Sequence, residues 1–252
     1  MPAVPTIMNG VENLPESKLG TKEHWDQVYE REVATYKDIG DEGEVWFGED
    51  SVERMIRYLC DLFEEEPRSE PRYVLDIGTG NGHLLFALME AQEEDLAPGT
   101  VDPSRLCGID YSPASIQLCH SIAENRGNEC KQISFLECDL RDMSSMDTLT
   151  KRANDGQGWD VVCDKGTYDA IALSSQLVNG KLPVDLYVDA VCRLTRAREG
   201  LFFITSCNFT KTELEAKFVP AGFVVEHVVP TPSFTFGGHK GSSVTTMAFR
   251  RA

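Results

Sequence analysis

Residues 73–82 read YVLDIGTGNG, and their reading decides the fold. The apolar run Tyr73-Val74-Leu75 leads into Asp76, and Gly78, Gly80 and Gly82 follow at alternate positions. An apolar run closed by glycines is a buried strand ending in a sharp turn, because glycine accepts the backbone conformations a tight turn demands. Residues 83–89 (HLLFALM) open a helix directly afterwards. Strand, glycine turn and helix aim backbone N–H groups and the positive end of a helix at one point, which suits a nucleotide-like ligand. The spacing is not that of a dinucleotide fingerprint. G-x-G-x-x-G needs its third glycine at position 83, where this chain carries His83. Taken alone, such a turn could also join a strand to a helix with no ligand.

Outward from the turn, apolar runs fit strands at 72–77, 105–110, 132–137, 159–164, 200–206, 222–229 and 243–250. Helical patterns fall at 82–92, 113–126, 185–198 and 210–219. Ser112-Pro113 is a helix start, a capping serine followed by proline at the first helical position. Thr210 with Glu213 three residues later is a capping box. Alternating strands and helices predict an α/β fold with a parallel sheet covered on both faces. The last two strands have no helix between them, so they are expected to pair as a closing antiparallel hairpin. Upstream, 22–36 reads as a helix with Trp25, Val28, Tyr29 and Val33 on one stripe, and 49–64 as an amphipathic helix. Residues 92–104 (QEEDLAPGTVDPS) read as a polar insertion. The expected organisation is a mobile tail over 1–17, a helical extension over 18–70 and an α/β domain over 71–252.

Composition narrows the class. The chain has 252 residues, 41% of them hydrophobic, enough for a sizeable core. No apolar run approaches the ~20 residues of a membrane span, and the first residues lack the pattern of a secretory signal. Eight scattered cysteines with no C-x-x-C pair point to reduced thiols in the cytoplasm or nucleus rather than to disulfides or zinc. The five histidines show no metal-ligand spacing. A net charge of −17 argues against a nucleic-acid backbone as partner. It suits a basic protein or cationic substrate, although acid also simply maintains solubility.

The D-x-G-x-G-x-G pattern of Asp76, Gly78, Gly80 and Gly82 resembles the first motif of the seven-strand S-adenosylmethionine (SAM) methyltransferases, and the closing hairpin resembles the end of that Rossmann-like core. The resemblance implies SAM as cofactor, S-adenosylhomocysteine as product, and a site at the carboxyl ends of the strands. Gly78 and Gly80 would pass close to the methionine moiety, with Asp76 and Asn81 in the same turn. Asp110, at the end of the second strand, would accept the ribose hydroxyls, with Tyr111 beside it. It lies 28 residues after Gly82, beyond the usual ~20, and the 92–104 insertion accounts for the excess. Asp102 is a poorer candidate because no apolar strand precedes it. Asp139 would meet the adenine amino group and Leu140 would pack on the ring. The plainer readings are a residue before a helix cap for Asp110 and a surface acid for Asp139.

The fourth strand ends in Asp164, followed by KGTYDAI, and not in the (N/D)PP(Y/F) corner of the DNA and RNA amino methylases. With SKLGTKEHWDQVYERE (17–32), EVWFGED (44–50) and LDIGTGNGH (75–83), this corner resembles the eukaryotic elongation factor 1-alpha lysine methyltransferases, the methyltransferase-like ten group and its fungal counterparts. The similarity runs from about Ser17 to the C-terminus. It implies a metal-free, monomeric, cytoplasmic and also nuclear protein-lysine N-methyltransferase acting on elongation factor 1-alpha. Asp164 and Tyr168 would orient the amine, Asp164 also touching the cofactor, while Lys165, Thr167 and Phe236 would line the substrate channel. Trp46 and Phe47 would form a lid over the cofactor or pack the N-terminal helices. The glycine-rich 234–241 loop would be a simple hairpin or a wall of the channel. A small-molecule N- or O-methyltransferase on the same core, and a SAM-binding subunit without catalysis, remain the competing readings.

Overall fold

Val74–Ile77 forms strand β1 with every side chain buried, and the rest of the molecule is arranged around it. The computed structural model describes residues 14–231, 233–236, 239–242 and 244–252, with backbone alone for 233–236 and 239–242. Helices α1 (Lys22–Ile39) and α2 (Glu49–Glu65) come first. After β1 follow α3 (His83–Glu94), β2 (Leu106–Asp110), α4 (Pro113–Arg126), β3 (Ser134–Glu137), α5 (Met143–Thr150), β4 (Val161–Lys165) and α6 (Thr167–Ala172). The chain continues through α7 (Pro183–Leu194), β5 (Leu201–Ser206), α8 (Lys211–Phe218), β6 (Phe223–Val229), β7 (Ser233–Phe236), β8 (His239–Ser242) and β9 (Thr245–Arg251).

Seven strands form one sheet in the order β3-β2-β1-β4-β5-β9-β6. The first five are parallel, and β9 inserts antiparallel between β5 and β6. The expected closing hairpin is therefore present, and β7 and β8 form a further two-stranded ribbon between its strands. The order reverses on the two sides of β1, so the β1 and β4 ends flank the crevice where open α/β sheets take ligands. One core lies between the sheet and α1–α4, and the other between the sheet and α5, α7 and α8. Trp25, Tyr29 and Val33 of α1 share the first core with Met55, Leu59 and Phe63 of α2. The N-terminal helices are thus continuous with the α/β core.

The helix expected at 185–198 instead spans 183–194. Pro183 supplies its first turn, and Thr195 leaves it to bridge Trp159 while Arg196 N–H donates to Trp159 O at 2.9 Å. The tail expected over 1–17 is shorter at its inner end. Leu14 packs against the second core, Glu16 bonds Ser175, and Ser17 N–H donates to Leu173 O at 3.2 Å.

Candidate active site

The glycine turn is shaped by what lies against it. Gly78 and Gly80 have φ of 67° and 60°, which a side chain rarely tolerates. A Cβ on Gly78 would run into Thr167, and one on Gly80 would stand 2.8 Å from Tyr29 Oη. Asp76 lies under the turn, accepting the Thr79 hydroxyl at 2.7 Å, and burial pushes its carboxyl up to about 6. It is not among the residues lining the pocket above, so its observed contact shapes the turn. Asn81 Oδ1 accepts His83 N–H at 3.3 Å, and its amide donates to Glu42 O at 3.0 Å. Asn81 therefore meets the first N–H of α3 and ties the 41–48 segment across the pocket.

Asp110 faces the pocket from the end of β2. Its carboxylate accepts Ser112 N–H at 2.9 Å and Gly80 N–H at 3.2 Å, which leaves acceptor capacity on its open side. Burial raises its pKa to about 6 against the lowering pull of these bonds. Tyr111 lies beside it with Lys22 Nζ 5.4 Å and the Arg141 guanidinium 5.6 Å from its ring centre. Asp139 and Leu140 line the same pocket. Burial would raise Asp139, but Arg141 grips its carboxylate through Nε at 2.9 Å and Nη2 at 2.7 Å, holding the pKa below the usual value. The Asp102 carboxylate caps a turn through Ser104 N–H and is not among the lining residues.

The expected pair at the end of β4 does not face the pocket. Asp164 is 0% exposed, and its carboxylate accepts Thr167 N–H at 2.8 Å, Tyr168 N–H at 2.9 Å and the Tyr187 hydroxyl. It caps the first turn of α6 from below, and burial raises it to about 7. Tyr168 is 2% exposed in the second core, with ring centres 5.0 Å from Tyr187 and 4.7 Å from Phe209. Neither side chain is among the lining residues. The roles expected of them at the amine, and of Asp164 at the cofactor, do not fit this placement. The reason is helical geometry. The turn into α6 puts Lys165, Gly166 and Thr167 on the pocket side and rotates the next side chain into the core.

Lys165 and Thr167 do line the pocket. Thr167 Oγ1 donates to Ile77 O at 2.8 Å, and Lys165 Nζ donates to Trp46 O at 3.0 Å. Trp46 lines the pocket and also packs edge-on against Trp25 at 4.6 Å, so it stands at the pocket and among the N-terminal helices at once. Phe236 lies in β7, but its side chain falls outside the described residues. Sequence reading did not nominate Trp25, Tyr29, Glu44, Arg141 or Ile171, all in the lining. Trp25 and Tyr29 carried a signal: aromatics four apart on a helix present one face, here stacked at 6.1 Å. Among the described residues no cluster of three His, Cys, Asp or Glu side chains is placed to hold a metal.

The arrangement fits a SAM-shaped ligand on its own terms. A glycine cradle would be filled by any Cβ, an acid with spare acceptor capacity stands at the second strand end, and aromatic rings form the opposite wall. A profile described as a methyltransferase domain matches residues 70–240. The chain is 46% identical over 241 residues to the protein-lysine N-methyltransferase efm4 of Schizosaccharomyces pombe, covering 94% of this chain and 95% of that one. It is 38% identical over 242 residues to the human EEF1A lysine methyltransferase 2, covering 96% and 90%. The magnesium protoporphyrin IX methyltransferase of Synechocystis, solved with bound SAM, shares the fold with a TM-score of 0.51 at 14% identity, covering 89% and 90%.

Proposed function

This chain belongs to the methyltransferase family that includes efm4 and EEF1A lysine methyltransferase 2, and from that premise we propose that it transfers a methyl group from SAM to a lysine side chain of elongation factor 1-alpha. The observation that carries the reading is the pocket, in which the Gly78–Gly80 turn, Asp110 and the Trp25–Trp46 wall converge. Gly78 and Gly80 would hold the methionine end of SAM, Asp110 the ribose diol, and Asp139 with Leu140 the adenine. SAM supplies an activated methyl group, and the protein supplies alignment and a neutral amine.

That amine is the harder requirement. A lysine with pKa ~10.4 costs roughly 4–5 kcal/mol to deprotonate at pH 7. Trp25, Tyr29, Trp46 and Ile171 present an aromatic and apolar wall, and desolvation against it lowers a lysine pKa. Glu44, exposed beside Trp46, puts negative charge in the lining to draw in a cationic side chain. The net charge of −17 favours encounter with a basic protein in the same sense.

The test uses purified elongation factor 1-alpha, labelled SAM and mass spectrometry of the product. Label on a lysine of the factor is the expected outcome. Label on a small metabolite, with none on the factor, would replace this reading with a small-molecule methyltransferase.

A further inference from the structure

The segment 41–48 crosses the pocket as a strap, and its conformation carries a cost. Phe47 has φ of 65°, a left-handed conformation that a bulky residue keeps only where its surroundings impose it. One end of the strap is held from the β1–α3 turn and from the end of α4. Asn81 donates to Glu42 O at 3.0 Å, and Arg126 pairs with the Glu42 carboxylate at 2.5 Å. The other end is held from β4. Lys165, the last residue of that strand, donates to Trp46 O at 3.0 Å, and the Phe47 ring lies over Gly166, where a Cβ would come within 2.9 Å of it.

A half-buried ammonium at this place is costly unless it is compensated. Burial lowers the Lys165 pKa, while Asp76, Asp164 and Glu49 oppose that shift. Its hydrogen bond goes to the backbone of the strap rather than to any of these acids. Methionine would fill much the same space without the desolvation cost, so stability alone does not call for a lysine here.

We propose that Lys165 is a positioning residue, fixing the strap to the end of β4 so that the Trp46 indole stands as a wall of the cofactor pocket. The inference rests on reading that pocket as the SAM site. Removing the ammonium leaves the Glu42 attachment and the Ser51 Oγ bond to Phe47 O intact and loosens the strap at Trp46. The Trp46 indole then loses its fixed place against Trp25, and cofactor binding weakens although no contact between Lys165 and the cofactor is invoked.

Calorimetry with S-adenosylhomocysteine on the full chain tests this in four proteins: wild type, Lys165→Met, Trp46→Ala and the double variant. Lys165→Met is expected to lower affinity about tenfold, the scale of a hydrogen bond to a charged group. Because Lys165 acts through Trp46, the double variant is expected to bind no more weakly than the weaker single variant. Hydrogen exchange supplies a second readout. The Gly48 and Ser51 amides, bonded to Val45 O and Gly48 O, should exchange at least tenfold faster in Lys165→Met, with β1 and β5 unchanged. A uniform rise across the sheet would mark a merely structural residue and overturn the proposal. So would unchanged affinity in Lys165→Met, or losses that multiply in the double variant. If Lys165→Met fails to fold, the same exchange pattern is read in Lys165→Gln, with the same two outcomes. Wild type that binds no S-adenosylhomocysteine would instead remove the reading of the pocket itself.

Discussion

Asp110 closes β2 and Asp164 is the last residue but one of β4, two parallel strands flanking β1. Both are buried, and burial raises the two carboxyls to about 6 and about 7. Their partners separate them. Asp110 accepts two backbone N–H groups and keeps capacity toward the pocket. Asp164 gives its acceptor sites to Thr167, Tyr168 and Tyr187 beneath α6. A raised pKa at a strand end therefore nominates an acid without assigning its work. The accounting of its hydrogen bonds makes the assignment.

The largest effect that distinguishes the two acids is on folding. Asp164→Ala leaves two N–H groups and a hydroxyl unpaired in a buried place, which should cost about 3–5 kcal/mol of stability. Urea unfolding measures it, and activity should fall in step with the folded fraction. A variant as stable as wild type yet inactive would return Asp164 to the chemistry. Asp110→Ala also frees two buried N–H groups, Gly80 and Ser112, but its distinguishing effect should fall on binding. The fold should survive with lowered stability, and affinity for S-adenosylhomocysteine in the folded protein should drop by roughly 1.5–3 kcal/mol, or about 10–150-fold. Unchanged affinity would move the diol contact elsewhere.

The pH dependence sharpens the contrast. Ionised Asp110 is the stronger acceptor for sugar hydroxyls, so the bond is at full strength above its pKa of about 6 and is lost as pH falls through that value. Affinity for S-adenosylhomocysteine should decline below pH 6 by at most about tenfold per unit. Asp110→Asn should flatten that limb. A limb that persists in the variant would belong to Asp76, whose carboxyl burial also raises to about 6.

Much of this was legible in the sequence because it was local. The D-x-G-x-G-x-G turn needs backbone freedom that only glycine provides, so Gly78 and Gly80 could be placed without a structure. Strand ends were visible from apolar runs, so Asp110 and Asp139 fell in the pocket as expected. The side on which a residue of a short helix falls was not legible. Residues 167–172 make fewer than two turns, too few for a periodic pattern, and nothing local said that Tyr168 turns inward while Thr167 turns outward. The aromatic wall was also hidden. Trp25 and Tyr29 lie some fifty residues before the glycine turn, and only tertiary packing of α1 brings Tyr29 Oη against Gly80.

The smallest expected effect probes that inward turn. If the Tyr168 ring serves packing with Tyr187, Phe209 and Phe218, the phenol oxygen is dispensable while the ring is not. Tyr168→Phe keeps the ring and its volume, and Tyr168 is not among the residues lining the pocket. Turnover and cofactor affinity should stay within about twofold of wild type, and stability within about 1 kcal/mol, as for a near-isosteric core exchange. Steady-state kinetics with elongation factor 1-alpha and a thermal melt decide the matter together. A loss of a hundredfold or more in kcat with an unchanged melting temperature would mean that the phenol reaches the reacting amine. In that event the β4 corner would have to open during turnover, and the difference between Asp110 and Asp164 would describe only the resting enzyme.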